Sequence, residues 1–168
     1  MSGSSILLIE DDLNVYHGIQ RRLKTSGYET FYAPDAIASV SQARLHRPNL
    51  ILLDLGLPAG DGFVVIERLR GLAELSVIPI IVLSGRDRGA NEMRAMRAGA
   101  AAYLQKPVSG DLLLETIARH IGKPQPIKAP GTYSVGATMS PSRLKTVNTD
   151  ASDDDVPVYE WQEYAQVG

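Results

Sequence analysis

Apolar positions between residues 5 and 121 follow two alternating patterns. Three short runs, SILLI at Ser5–Ile9, LILLD at Leu50–Asp54 and PIIVLS at Pro79–Ser84, are nearly continuous Ile, Leu and Val. Such runs suit interior strands of a parallel sheet, which are covered on both faces. Glu29–Tyr32 (ETFY) and Ala102–Leu104 (AYL) are shorter and mixed, and are read as the second and fifth strands. Five segments of helical length lie between and after them: Asn14–Ser26, Asp35–His46, Asp61–Leu72, Gly89–Ala98 and Gly110–Ile121. In the second of these, Ile37, Val40 and Ala43, with Leu45 close by, trace a helical stripe. Gly27 and Gly99 stand where helix C-terminal glycines are expected. Five strand–helix repeats predict an α/β fold with a doubly wound sheet and right-handed crossovers.

In a sheet of this kind, ligands bind beyond the carboxyl ends of the strands, where strand order reverses. Glu10, Asp11 and Asp12 follow the first strand, Asp54 ends the third, Ser84 ends the fourth, and Lys106-Pro107 lies just past the fifth. The second strand ends in Tyr32-Ala33 and offers no comparable chemistry. A lone carboxylate at the tip of a buried strand demands a use, because burying an uncompensated charge is costly. Glu10, Asp11 and Asp54 at neighbouring tips would repel one another, and Mg²⁺ would remove the conflict: it favours oxygen ligands, and one or two carboxylates suffice. Lys106 supplies a point charge for an oxyanion, Ser84 a hydroxyl, and the small Gly56 and Gly60 let backbone approach a bound group. Together these make a site for a phosphoryl group, with Asp54 as a candidate covalent acceptor. Taken singly, several of the residues have plainer readings. Asp12 suits a helix N-terminus and Asp61 caps the third helix. His17, His46 and His120 lie on three helices at no ligand spacing and are assigned no role.

Composition narrows the classes. The chain has 168 residues, 44% hydrophobic and 21% charged, ordinary values for one globular domain with some surplus. Without cysteine there can be no disulfide framework and no thiolate metal site. No apolar run approaches the roughly 20 residues of a membrane span. The first residues, MSGSS, lack the basic flank and apolar stretch of a signal peptide, so a cytoplasmic location is expected. A net charge of −2 argues against a chain-wide nucleic-acid-binding surface.

The stretches ILLIEDD, PNLILLDLGLPAGDG, PIIVLSG and AGAAAYLQKP, in this order, resemble the receiver domain of two-component response regulators over about residues 5 to 121. The resemblance implies a flavodoxin-like five-stranded sheet of order 2-1-3-4-5. It implies that Asp54 accepts a phosphoryl group from the phosphohistidine of a sensor histidine kinase or a histidine phosphotransfer protein. Glu10 and Asp11 then match the acidic pair that holds Mg²⁺, Asp11 directly and Glu10 through water, with Asp54 and the carbonyl of Gly56 completing the protein's ligands. Ser84 matches the switch hydroxyl, Tyr103 the aromatic that rotates inward with it, and Lys106 the phosphate-pairing lysine. The Lys106–Pro107 bond is expected to be cis. The output face would be the fourth helix, fifth strand and fifth helix, signalling to a downstream protein and able to support a phosphorylation-dependent dimer. The chain would be a phosphoacceptor signalling domain and no enzyme beyond taking up and losing its own phosphoryl group.

In wording the chain is most similar to OmpR-type receivers, but it departs from them in two ways. Ala101 and Ala102 stand where those carry an acidic pair used between subunits, which counts against a dimer of that type. The 47 residues after Ile121 are rich in Pro, Gly, Ser and Thr and show no sustained period, so no DNA-binding output domain is expected in them. Two rival readings are weighed. An aspartyl phosphohydrolase of the haloacid dehalogenase pattern needs a second aspartate two residues after the nucleophile, where this chain has Gly56, which cannot transfer a proton. A phosphorylation-independent binding module would have lost one of the acidic, Asp or Lys positions, and all are present.

The chain therefore divides into a receiver region, residues 1–121, and a linker with a C-terminal tail, residues 122–168. Gly122 to Val147 carries four positive charges (Lys123, Lys128, Arg143, Lys145), and Asn148 onward six negative ones (Asp150, Asp153, Asp154, Asp155, Glu160, Glu163). The first part has a linker's composition. The last places Tyr159, Trp161 and Tyr164 behind an acidic run, a composition suited to docking.

Overall fold

The computed structural model of the protein describes residues 4–57, 61–85 and 87–124. Strands and helices alternate five times: β1 Ser5–Ile9, α1 Leu13–Thr25, β2 Glu29–Ala33, α2 Ala36–His46, β3 Leu50–Asp54, α3 Gly62–Arg70, β4 Ile80–Ser84, α4 Arg88–Ala98, β5 Ala102–Gln105 and α5 Gly110–Ile121. All five strands are parallel, in the order β2-β1-β3-β4-β5. The three nearly continuous apolar runs are the three central strands, and they are buried almost throughout. The two mixed runs are the edges. Each of these matches the sequence-based expectation.

Strand residues alternate between two cores, because successive side chains leave opposite faces of a sheet. Leu7, Ile9, Ile51, Leu53, Ile80, Val82 and Tyr103 pack with the side chains of α3 and the small residues of α2 and α4. Ile6, Leu8, Leu50, Leu52, Ile81 and Leu83 pack with Tyr16 and Leu23 of α1 and Leu113 and Ile117 of α5.

Helix starts are set by short polar side chains that accept otherwise orphaned backbone N–H groups. Asp12 accepts from Asn14 and Val15, Asp35 from Ile37 and Ala38, Asp61 from Phe63, and Ser109 from Leu112. Asp87, at the start of α4, makes no such bond. Left-handed glycines follow α1 and end α4, Gly27 at φ 88° and Gly99 at φ 106°. α2 instead ends on Arg47, a non-glycine residue at φ 43°.

The structure corrects the expected stripe on α2 in part: Ala43 is buried and Val40 packs against the core, but the other two residues do not. Ile37 and Leu45 are 75% and 72% exposed, and the buried face is Ala36, Ser39 and Ala43. Small side chains let this helix lie close to the sheet and α3. Ser39 tolerates burial because its hydroxyl donates to the Ala36 carbonyl at 2.7 Å. Boundaries also move slightly. β2 runs on to Ala33, α3 stops at Arg70 before Gly71 rather than at Leu72, α4 begins at Arg88, and Pro79 stays outside β4. Pro79 has no N–H to give, but its carbonyl accepts from Ile51. Among the described residues no helix is long and apolar enough to cross a membrane.

Candidate functional site

The last rungs of the sheet bring the strand ends into line. Ile9 pairs with Leu53, Asp54 with Leu83, and Ser84 with Gln105. The ladder continues one step further at both sides, with Glu10 N–H donating to the Ala33 carbonyl at 3.2 Å and Lys106 N–H to the Ser84 carbonyl at 2.8 Å. Residue parity then sorts the polar groups by face. Glu10, Asp54 and Lys106 continue the alternation of the residues that point toward α1 and α5. Ser84 shares its parity with Ile80 and Val82 on the other face, where Tyr103 is buried. The acidic chemistry lies over one core, and Ser84 and Tyr103 over the other.

Carboxylate oxygens of Glu10, Asp11 and Asp54 all lie within 4.8 Å of one another. Lys106 Nζ donates to Glu10 Oε2 at 2.6 Å and to Asp54 Oδ2 at 2.8 Å. The other Asp54 oxygen, Oδ1, accepts from the backbone N–H of Gly56 at 2.9 Å, so both acceptor oxygens are oriented by donors. Among the described residues three carboxylates face one ammonium, which leaves two negative charges uncompensated. The proton affinities follow. Burial pushes the Glu10 carboxyl above its ordinary value of 4.5, and the nearby Asp54 adds to this, while the Lys106 bond and charge pull it down without cancelling the rise. Burial works against the charged Lys106, but its bonds and attraction to Asp54 and Glu10 outweigh that, and its pKa stands above 10.5. Both groups hold protons more tightly than usual, Glu10 chiefly because it is buried and Lys106 because of its two carboxylate partners. A divalent cation would relieve that excess, and an all-oxygen donor set of this kind suits Mg²⁺.

The predicted residues are brought together as follows. Glu10, Asp11, Asp54 and Lys106 form one cluster, and Gly56 joins it through its N–H. Ser84 and Tyr103 are buried beside it, at 1% and 4% exposure. The Lys106–Pro107 peptide is cis, as expected. Asp12 turns away to cap α1, and its own N–H donates to Glu10 Oε1 at 3.3 Å. Gly60 and the tail residues Tyr159, Trp161 and Tyr164 lie outside the described residues.

Sequence reasoning missed three contributors. Gly62 abuts the end of β3: a Cβ there would fall 2.7 Å from Leu55 Cα and 2.8 Å from the Asp54 carbonyl oxygen. Arg94 reaches from α4 to Asp61, with Nη2 3.1 Å from Oδ2, and its guanidinium lies 3.8 Å over the Phe63 ring. Among the described residues Arg70 donates to backbone carbonyls alone: to Gly99 at 3.0 and 2.8 Å, Ser76 at 2.6 Å and Ile78 at 2.9 Å. The GDG wording hinted at Gly62. Nothing in the sequence marked the arginines, whose partners lie on other elements.

Fold and site together define a receiver domain, and the chain belongs to that family: residues 6–118 match the model of the response regulator receiver domain. The chain is 38% identical over 104 residues to the KDP operon transcriptional regulatory protein KdpE of Escherichia coli, a match covering 62% of this chain and 45% of that protein. It is 33% identical over 118 residues to the polar-differentiation response regulator DivK of Brucella anthropi, covering 70% of this chain and 96% of that protein. Among solved structures it is similar to the receiver domain of a sensor histidine kinase from Pseudomonas aeruginosa, solved with a magnesium ion coordinated in the active site cleft. That likeness has a TM-score of 0.67 and 30% identity, over 72% of this chain and 99% of that one.

Proposed function

We propose that the protein is the phosphoacceptor of a phosphorelay, taking a phosphoryl group on Asp54 from the phosphohistidine of a histidine kinase or histidine phosphotransfer protein. The observation that carries this reading is the three-carboxylate cluster with Lys106 bridging Glu10 and Asp54. In the reaction an Asp54 carboxylate oxygen attacks phosphorus, the P–N bond breaks, and the electron pair leaves with the imidazole ring, giving an acyl phosphate. Lys106 is already at the acceptor oxygen and passes to the arriving phosphoryl oxygens, as a mobile point charge can. Asp11, Glu10, Asp54 and the Gly56 carbonyl would hold Mg²⁺. When bound, that ion supplies neutralising charge for the phosphoryl oxygens. Support comes from the donor set itself and from the related receiver solved with magnesium in its cleft.

Ser84 is the proposed switch hydroxyl, drawn toward the dianionic product, with Tyr103 following on the same face. The output is then read on α4, β5 and α5 by a protein partner. The test is acetyl phosphate labelling in Mg²⁺. Asp54→Ala should abolish acid-stable, hydroxylamine-sensitive label, and Asp12→Ala, which removes only a helix cap, should retain most of it. Label surviving the Asp54 change would move the acceptor elsewhere.

A further inference from the structure

α4 is held differently from the other helices. Ala95 is its one buried residue, and its N-cap Asp87 makes no side-chain capping bond, whereas Asp12, Asp35, Asp61 and Ser109 all cap the other four. Its C-terminal end is clamped, because Arg70 donates twice to the Gly99 carbonyl. A helix fixed at one end and lightly packed along its length is suited to pivoting. Beside the buried Ala95, Arg94 ties the body of this helix to the start of α3. It pairs with Asp61 at 3.1 Å and covers the Phe63 ring. Asp61 in turn caps α3 through the Phe63 N–H, and the next residue, Gly62, lies against the Asp54 carbonyl and Leu55 Cα with no room for a side-chain atom. Strand end, helix cap and α4 are thus in direct contact.

We infer that Arg94 is a positioning residue that links α4 to the acceptor strand end through Asp61 and Gly62, a second connection beside the one through Ser84 and Tyr103. The inference rests on Asp54 being the acceptor, as proposed above. A shift of the Asp54–Leu55 peptide on loading passes to the start of α3 because Gly62 leaves no slack, and Arg94 carries it to α4. Ser84 and Tyr103 act from β4 and β5, whereas Asp61 and Arg94 act from the start of α3 and from α4. Coupling between sites is reciprocal, so a partner seated on α4 would also alter the loading of Asp54. Arg94 and Asp61 side chains are 59% and 33% exposed, and a pair so placed supports an effect of about two- to fivefold.

A pair that merely fastens α3 to α4 would act equally in loaded and unloaded protein, and this separates the two cases. Amide hydrogen exchange across Arg88–Ala98 would be measured on the full chain in Mg²⁺, with and without beryllofluoride as the phosphoryl mimic. Loading should change exchange in the wild type. Arg94→Met and Asp61→Asn, which keeps the capping oxygen and removes the charge, should each shrink that change by about two- to fivefold. Their combination should add nothing, and Arg94→Lys should restore part of the response. Ser84→Ala should leave a residual response that vanishes when Arg94→Met is added. A loading-dependent change as large in Arg94→Met as in the wild type overturns the inference, and so does its complete loss in Ser84→Ala alone. Acetyl phosphate should label Asp54 in the Arg94 and Asp61 variants as in the wild type. If the wild type takes no label there, the proposed acceptor role falls instead.

Discussion

Lys106 holds its ammonium between two carboxylates that would otherwise face each other. Its folded pKa is above 10.5, so the stability it contributes is complete below that value and is lost as pH climbs through the folded pKa. Glu10 is also raised, above 4.5, so the folded protein binds its proton more tightly than the unfolded chain does. That contribution is present in acid and is lost as pH rises from 4.5 through the folded value. At neutral pH the lysine's share is intact, and the glutamate's diminishes as pH rises. Lys106→Met removes the charge that draws Glu10 down, so Glu10 should rise further. The variant should lie nearest the wild type close to pH 5 and fall behind it toward pH 8. There the deficit should be on the order of 2 kcal/mol, the cost of leaving a buried carboxylate without its partner. Urea unfolding in EDTA at several pH values measures this, and a deficit constant across the range would contradict the assignment.

Among the elements, α2 shows how apolar spacing can mislead. Of the predicted stripe, Ile37 and the nearby Leu45 are exposed, while Ala43 is buried together with Ser39 and Val40 packs against the core. Ile37→Ser should therefore change stability by no more than about 0.5 kcal/mol. Ala43→Leu should cost about 1–3 kcal/mol, because added methylenes have nowhere to go against the sheet. Urea midpoints of the two variants decide it, and the reverse ranking would restore the stripe. The same contrast explains what was legible. β1, β3 and β4 were plain because a strand covered on both faces must be apolar at every position. Asp54, Ser84 and the Glu10-Asp11 pair were plain because each interrupts or ends such a run. Arg94, Arg70 and the tight seat of Gly62 were not, because their meaning lies in partners on other elements: Asp61, the Gly99 carbonyl and the Asp54 peptide. Pattern along a chain reports burial, and it is silent about which side chains meet across helices.

At the scale of the molecule, a cluster with two uncompensated negative charges strains the metal-free fold and rewards any cation that fills it. Mg²⁺ should raise the unfolding temperature by several degrees, and at a hundredfold excess over its dissociation constant the gain is about 2.7 kcal/mol. Asp11→Ala should lose most of that gain while keeping its metal-free stability. Scanning calorimetry with Mg²⁺ and with EDTA tests this, and an equal Mg²⁺ shift in the variant would remove Asp11 from the site. Assembly has a further consequence. The bridge from Lys106 spans 96 residues of chain to Glu10 and 52 to Asp54, and it closes only when the edge strand β5 has joined β4. Contacts of such long range form late, since loop closure must come first. A chain still on the ribosome, or one whose last strand has slipped, would carry the acidic residues without the lysine that completes the pocket. Competence to be phosphorylated would then arrive only with the finished sheet, so that a half-made copy stays deaf to its kinase.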